Sequence, residues 1–340
     1  MARRAFGALL TTPNDAPLAQ RVFAALADGE FHSGEALADR AGVTRSAVWK
    51  AIEQLRELDL EIEAITHRGY RLVHPCEALD AARITAAVPT CAVRVAWEID
   101  STNGALLAAD APTPGEFVAL LAENQTGGRG RRGRAWRASL GGSLALSIAT
   151  TYETLPRELP ALTLVIGCCV LQALHDRGAR EVSLKWPNDL WFGERKLGGI
   201  LVELRAEAGG PGHVVIGIGL NLRLSSASRT AIERLGTSAA DLLECGVDVA
   251  ARNALAARVI ARCVEGLKVF DNAGFAPFFA PWRATDALRG RRVRVGETGR
   301  EIEGVARGID AEGALLVENA IGERVRVIAG EVSVRPAGAA

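Results

Sequence analysis

The sequence predicts an α+β chain in three parts: a small helical unit closed by a hairpin, a mixed core, and a short all-strand unit. Three observations carry this. Apolar residues repeat at helical spacing from Leu18 to Leu58, strand-like and helix-like runs alternate up to about residue 285, and only short strands follow Gly290. At 340 residues and 49% apolar, the chain is too long for one ordinary domain and can bury sizeable cores.

In the first part, Leu18, Val22 and Leu26 mark one helix. Ser33 is placed to cap a second, with Ala36, Leu37 and Ala41 on one face and Gly42 as its stop. Thr44 can cap a third, in which Val48, Ile52, Leu55 and Leu58 form the apolar stripe. Residues 61–65, the turn at His67, Arg68 and Gly69, and residues 70–73 then read as a β-wing. Two helices, a short turn, a helix and a wing make the winged helix-turn-helix pattern.

After a connector near 75–81, strands are expected at 93–99, 117–123, 144–150, 182–186, 199–204 and 214–222. Helices are expected at 102–110, 159–177, 249–270 and 275–285. The third part offers strands at 292–295, 301–309, 315–318 and 325–328, as in a small β-barrel. The units are placed at 1–76, 82–286 and 288–336. No internal repeat or long low-complexity tract is present.

Composition excludes several classes. Lys plus Arg and Asp plus Glu number 40 each, so the chain is not built to coat nucleic acid non-specifically. Residues 1–10 carry arginines but too short an apolar run for a secretory leader. No run of about 18 apolar residues suggests a membrane span. The six cysteines lack CxxC spacing, and Cys168 and Cys169 read as buried small hydrophobes. The five histidines are scattered. A reduced, cytoplasmic protein without a protein-held metal is expected.

Five motifs carry chemistry. Residues 127–134 hold four arginines and four glycines directly after a strand ending in Gln125. Glycines let backbone N–H groups turn inward around an anion, and guanidinium groups match phosphate or carboxylate. Such a loop is expected to be mobile until a ligand orders it. On composition alone it equally suits a solvated basic loop or an RNA-binding tract. Lys185-Trp186-Pro187-Asn188-Asp189 puts a compact positive charge at a strand end, or is a surface lysine before a hairpin. Lys196-Leu197-Gly198-Gly199 reads as a turn entering a buried strand. Gly217 and Gly219, before Asn221, bare one face of a strand for a ligand or mark a bulge. Asp100-Ser101-Thr102-Asn103 sits at a strand-to-helix junction, as binding groups or as a plain cap.

Taken in order, these motifs resemble the biotin–protein ligase family: Ser101-Thr102-Asn103, Gln125 with Gly128-Arg129-Gly130-Arg131-Arg132-Gly133, the Lys185 motif, Lys196 with Gly198-Gly199, and Gly217-Ile218-Gly219-Leu220-Asn221. The N-terminal unit, with Phe31-His32-Ser33-Gly34-Glu35 and Gly69-Tyr70, makes the chain similar to the bifunctional ligase/biotin operon repressor type. Arg307-Gly308-Ile309-Asp310 and Gly313-Ala314-Leu315 fit that type as well.

The resemblance implies a core like that of class II aminoacyl-tRNA synthetases and an SH3-like barrel. It implies biotin and ATP with Mg2+ as ligands, and biotinyl-5'-AMP as both intermediate and co-repressor. Partners would be biotin carboxyl carrier protein (an acetyl-CoA carboxylase subunit), operator DNA, and a second copy in an adenylate-bound homodimer. Catalytic roles fall to Lys185, Arg131 and Asp189, with Asp189 orienting or deprotonating the incoming lysine. Biotin would meet Ser101, Thr102, Asn103, Gln125, Arg129, Gly130, Arg131 and Lys185. The adenylate would meet Arg129, Arg131, Arg132, Asn188, Lys196 and Asn221. A lipoate–protein ligase, or a sensor that binds an acyl-adenylate without chemistry, are the rival readings.

DNA contacts are expected from Thr44, Arg45, Ser46 and Lys50 at the start of the third helix, and from His67 and Arg68 on the wing. Between Leu18 and Val73, however, seven Lys/Arg face nine Asp/Glu. That acidic balance also suits a winged helix kept for packing or dimerisation.

Overall fold

A computed structural model describes residues 16–136, 139–206, 210–234, 236, 238–296, 301–330 and 332–334. Residues 1–10, and the outer limits 1 and 336 of the expected units, lie outside that range.

The front unit comprises α1 (Leu18–Leu26), α2 (Gly34–Ala41), α3 (Arg45–Glu57) and the antiparallel wing β1 (Ile62–Ile65) and β2 (Gly69–Leu72). Its caps are those expected. Ser33 Oγ accepts from Ala36 N, Thr44 Oγ1 accepts from Ala47 N, and Gly42 ends α2 at φ 65°. Phe23, Leu26, Leu37, Val48, Ile52, Leu55 and Leu72 share one core, which also takes in Leu140 of the next unit. Phe23 and Trp97 bring their ring centres within 5.9 Å, and Ser225 Oγ donates to Asp59 Oδ2 at 2.6 Å. The winged helix is therefore packed against the core.

The core is a seven-stranded mixed sheet of β3 (Ala92–Ile99), β4 (Val118–Gln125), β5 (Ser143–Tyr152), β6 (Val182–Lys185), β7 (Asp189–Phe192), β8 (Arg195–Ala206) and β9 (Gly212–Asn221). Its order is β3-β4-β5-β9-β8-β7-β6, parallel only between β3 and β4. On one face Leu144, Leu146, Ile148, Val214, Ile216 and Ile218 join the large core formed with α4 (Ala81–Ala87), α6 (Leu162–His175), α8 (Arg252–Ala273) and α9 (Ala276–Ala284). On the other face Ala96, Leu120, Ala122, Ala149 and Val215 pack around Leu106 of α5 (Thr102–Ala108). Both faces are covered, so β5 is buried from end to end.

One transverse row crosses all seven strands: Ala96, Ala122, Ala145, Gly219, Gly199, Asp189, Lys185. Directly opposed residues share a face. The row thus begins with five small side chains and ends in an acid and a lysine, leaving a groove that leads to charge.

Within the core, beneath the connector, Arg252 and Glu123 form a buried ion pair, 0% and 3% exposed, at 2.7 Å. Arg252 also donates to Glu77 O and Ser143 O, and Glu123 accepts from Leu79 N. The connector is thereby fastened to β4, β5 and α8.

The third unit is one antiparallel sheet in the order β13-β12-β11-β10-β14. Its strands are β10 (Arg292–Val295), β11 (Ile302–Ile309), β12 (Leu315–Glu318), β13 (Arg324–Val327) and β14 (Val332–Val334). The chain just before it docks on β6: Leu184 N donates to Thr285 O, and Ala287 N donates to Leu184 O. Trp186 Nε1 donates to Gly313 O at 3.0 Å.

Some elements differ from expectation. The Lys196–Gly199 stretch lies within β8, and the turn before it is at Gly193, φ 60°. β7, β14, α4 and α7 (Ser226–Glu233) were not foreseen. The connector ends in α4, where Asp80 Oδ1 accepts from Ala82 N and Arg83 N. The helix expected from 159 starts at Leu162, after a 3-10 turn over Leu159–Ala161.

Candidate active site

A cavity of about 340 Å³ lies on the α5 face of the sheet, over the small-residue row. Ala145, Gly219, Gly199, Asp189 and Lys185 of that row all line it. Its volume falls in the range of small-molecule sites.

Two glycines of β9 shape the floor. A Cβ on Gly217 would lie 2.5 Å from Asn103 Oδ1, and one on Gly219 would lie 2.5 Å from the Trp136 ring. The bare face therefore admits two of the protein's own side chains, which in turn form walls. The sequence offers a ligand or a bulge for that face and gives no sign of Trp136.

At one end sits a polar cluster on α5. Ser101 Oγ caps the helix by accepting from Gly104 N at 3.2 Å. The Thr102 amide and hydroxyl both donate to Gln125 Oε1, at 2.8 and 3.1 Å. The buried Ser147 hydroxyl is shared between Thr102 Oγ1, at 2.7 Å, and Asn103 Oδ1. Asn103 Nδ2 donates to Leu201 O at 3.2 Å and to Glu203 Oε2 at 2.9 Å. With the Gln125 carbonyl occupied, its amide nitrogen, beside Gly128, is what it can offer a ligand. Ser147 and Glu203 were invisible to sequence reasoning, because strand register alone brings them here.

The arginine–glycine segment forms a closed tongue. Trp136 N donates to Gly128 O at 2.8 Å, Gly130 N donates to Arg134 O at 2.7 Å, and Arg129 bridges Ala135. Arg131–Gly133 makes a 3-10 turn in which Arg132 has φ 57°. The Gly130 N–H is thus satisfied within the loop and does not complete an open anion nest. Arg131 Nη1 donates to Asn188 Oδ1 at 3.1 Å. Arg129, Gly130, Arg131 and Arg134 line the cavity, whereas Arg132 is exposed and does not. Arg132, expected to meet the adenylate, stands outside the cavity lining at the left-handed position of the turn.

At the charged end, Lys185 and Asp189 oppose one another across β6 and β7. The Asp189 carboxylate meets Lys196 Nζ at 2.7 Å. Lys185 Nζ lies 4.7 Å from the Trp191 ring centre. Asn188 Nδ2 donates to Ile200 O, and the buried Asn221 donates to Ala240 O at 3.0 Å. Ile232 of α7, Ala239 and Val332 of the third unit complete the wall. Among the described residues no group of three His, Cys, Asp or Glu side chains is placed to hold a metal. All six cysteines are free. Burial pushes the Cys76 thiol up to about 11 and the Cys91 thiol up to about 12, as fits packing groups and not nucleophiles.

On the winged helix, Arg45, Ser46 and Lys50 are exposed along α3, and Thr44 caps it. Trp49, unremarked in the sequence, is 53% exposed on the same face. On the wing, His67 adopts φ 65°, and the Arg68 and Arg71 guanidinium groups stack 4.0 and 4.6 Å from the Phe31 ring centre.

Comparison with known proteins follows the same division. A model described as the biotin/lipoate A/B protein ligase family matches residues 99–221. A biotin protein ligase C-terminal domain matches 289–335, and an HTH domain matches 20–71. The bifunctional ligase/repressor BirA of Salmonella typhimurium is 39% identical over 92% of this chain and 96% of its own. BirA of Escherichia coli is 38% identical over 95% and 98%. The biotin protein ligase from Aquifex aeolicus, solved in complex with biotin and ATP, superposes with a TM-score of 0.60 at 31% identity. That match covers 72% of this chain and 98% of that one. Fold, cavity motifs and relatives agree: the chain belongs to the biotin–protein ligase family, in its bifunctional ligase/repressor branch.

Proposed function

We propose that this chain activates biotin with ATP, transfers it to a lysine of a biotin carboxyl carrier protein, and represses transcription through its winged helix. The observation that carries the reading is that all five motifs, scattered over some 120 residues of sequence, line one cavity.

In the first step a biotin carboxylate oxygen attacks the α-phosphorus of ATP, and pyrophosphate leaves. In the second, the carrier lysine amine attacks the carbonyl carbon of biotinyl-5'-AMP, AMP leaves, and the amine loses a proton. Such chemistry needs positioning and positive charge above all. We assign Lys185 and Arg131 to the charge shared by carboxylate and α-phosphate. Asn188 holds Arg131 by its side chain, and Asn221 and Lys196 border the adenylate. Ser101, Thr102, Asn103 and Gln125 receive the biotin rings, and Gly130 lets the loop approach them. Asp189 is assigned to fixing Lys196; a direct part in deprotonating the carrier lysine is the alternative. Mg2+ would enter with the triphosphate, since it keeps several waters and seldom needs a protein cage.

We place the domain limits at 1–76, 82–286 and 288–336. A single winged helix covers a short footprint, so a homodimer on a two-fold operator, favoured by bound adenylate, is part of the proposal. No helix among the described residues is long and apolar enough to cross a membrane, which suits a cytoplasmic location.

The test is ATP- and biotin-dependent labelling of a purified carrier domain, with lipoate as competitor. We expect labelling with biotin alone, and a Lys185→Ala variant that releases pyrophosphate at least 100-fold more slowly (about 2.7 kcal/mol). Labelling with lipoate, or pyrophosphate release by Lys185→Ala at the wild-type rate, would overturn the assignment.

A further inference from the structure

We propose that Glu203 is a positioning residue for the ligase reaction: a clasp that ties the root of the arginine–glycine loop to the biotin-facing helix. The inference rests on the ligase reading above.

Glu203 stands on β8, on the cavity face of the sheet. Its two carboxylate oxygens serve two different elements. Oε2 accepts from Asn103 Nδ2 at 2.9 Å, in the first turn of α5. Oε1 faces Arg129 Nη2 at 3.5 Å, at the start of the loop. The Arg129 guanidinium passes close over Gly104, where a Cβ would stand 3.5 Å from Nη2, so a larger residue there would crowd it. Asn103 is held on its other side by Ser147 and Leu201 O. A charged acceptor binds both donors more strongly than a neutral one would. The Arg129 charge is directed at Glu203, so its part is to anchor the loop.

An anchored root matters because the loop must cover biotinyl-5'-AMP during the interval between the two steps. If the root lifts, water and diffusion reach the intermediate. Glu203→Gln keeps an acceptor for Asn103 but removes the charge facing Arg129. Glu203→Ala removes both.

The experiment measures biotin affinity by calorimetry without nucleotide, and the half-life of biotinyl-5'-AMP on the protein after rapid desalting. Glu203→Gln should leave biotin affinity within about three-fold and shorten the half-life about five-fold, the worth of a part-exposed ion pair. Glu203→Ala should also weaken biotin about ten-fold and raise its KM more than it lowers kcat. In an Arg129→Ala background, Glu203→Gln should have no further effect on the half-life, which a general loosening of β8 would not produce. Equal half-lives for wild type and Glu203→Gln, or additive losses in the double variant, would overturn the clasp while leaving the ligase reading intact. Failure of the wild type to form biotinyl-5'-AMP would overturn both.

Discussion

Replacing Gly217 by alanine tests how the floor of the cavity is built. The added Cβ would stand 2.5 Å from Asn103 Oδ1, 2.9 Å from Cγ and 3.1 Å from Nδ2. Relief requires Asn103 to rise by roughly 1 Å to ordinary contact distance. Three partners oppose that movement: the Ser147 hydroxyl, Leu201 O at 3.2 Å, and Glu203 Oε2 at 2.9 Å. Losing two of them, one to a carboxylate, costs about 2–4 kcal/mol. Removing a strand glycine recovers at most about 1 kcal/mol. The net, about 1–3 kcal/mol, must appear in urea unfolding, in biotin affinity, or divided between them. For unfolding alone Gly199→Ala is the matched comparison, since its Cβ would meet only the flexible Lys196 chain at 3.4 Å and should cost little stability. If unfolding and biotin calorimetry together register less than about 0.5 kcal/mol for Gly217→Ala, the claim that Asn103 is locked over β9 is wrong.

Arg252→Met should destabilise the protein by about 3–5 kcal/mol in urea, because it leaves the Glu123 carboxylate buried without its partner. Adding Glu123→Gln should recover much of that loss, and a single-variant cost below 1 kcal/mol would refute the role given to the pair. Burial pushes the Asp286 carboxyl up to about 6 from its usual 3.8. Its contribution to stability is therefore complete below pH 4 and lost as pH rises through 6, on the order of 3 kcal/mol. Asp286→Asn, which keeps an acceptor for Leu288 N, should match wild type at low pH and exceed it above pH 7. Parallel Tm-against-pH curves for the two proteins would count against this. Trp49→Ala should abolish a selected preference for thymine at one position per half-site, since an exposed indole beside the α3 residues expected to meet DNA suits a methyl group. Identical preferences selected from a random duplex pool by both proteins would remove Trp49 from the interface.

What was legible in the sequence is what depends on nearby residues. Ser33, Gly42 and Thr44 define the helix ends of the front unit through contacts no more than five residues away, and each stands where expected. The motif residues of the cavity announced themselves because glycine, arginine and lysine are costly or idle in most other places. The residues that hold them did not. Ser147 and Glu203 look like ordinary polar positions on strands, and only the pairing of β5 with β9 and of β9 with β8 brings them under α5. The same pairing converts Gly217 and Gly219 from an opening for a ligand into seats for Asn103 and Trp136. Asp189 closes the motif that Lys185 opens, and its carboxylate meets a β8 lysine, Lys196, that the motif does not contain. α4 escaped notice because its seven residues, four of them alanine, show almost no apolar periodicity.

The strand that delivers Lys185 is the last in its sheet, and a terminal strand exposes a row of unpaired backbone groups. Here residues 285–287 satisfy Leu184, and the third unit seals the same side through Trp186 and Gly313. A shortened protein ending near residue 280 would bare that margin and lose the wall provided by Val332. It should self-associate edge to edge before it could be tested as a smaller catalyst. Residues 285–287 and the C-terminal unit together cover the margin of the lysine strand, a duty that holds whether or not a ligand is present.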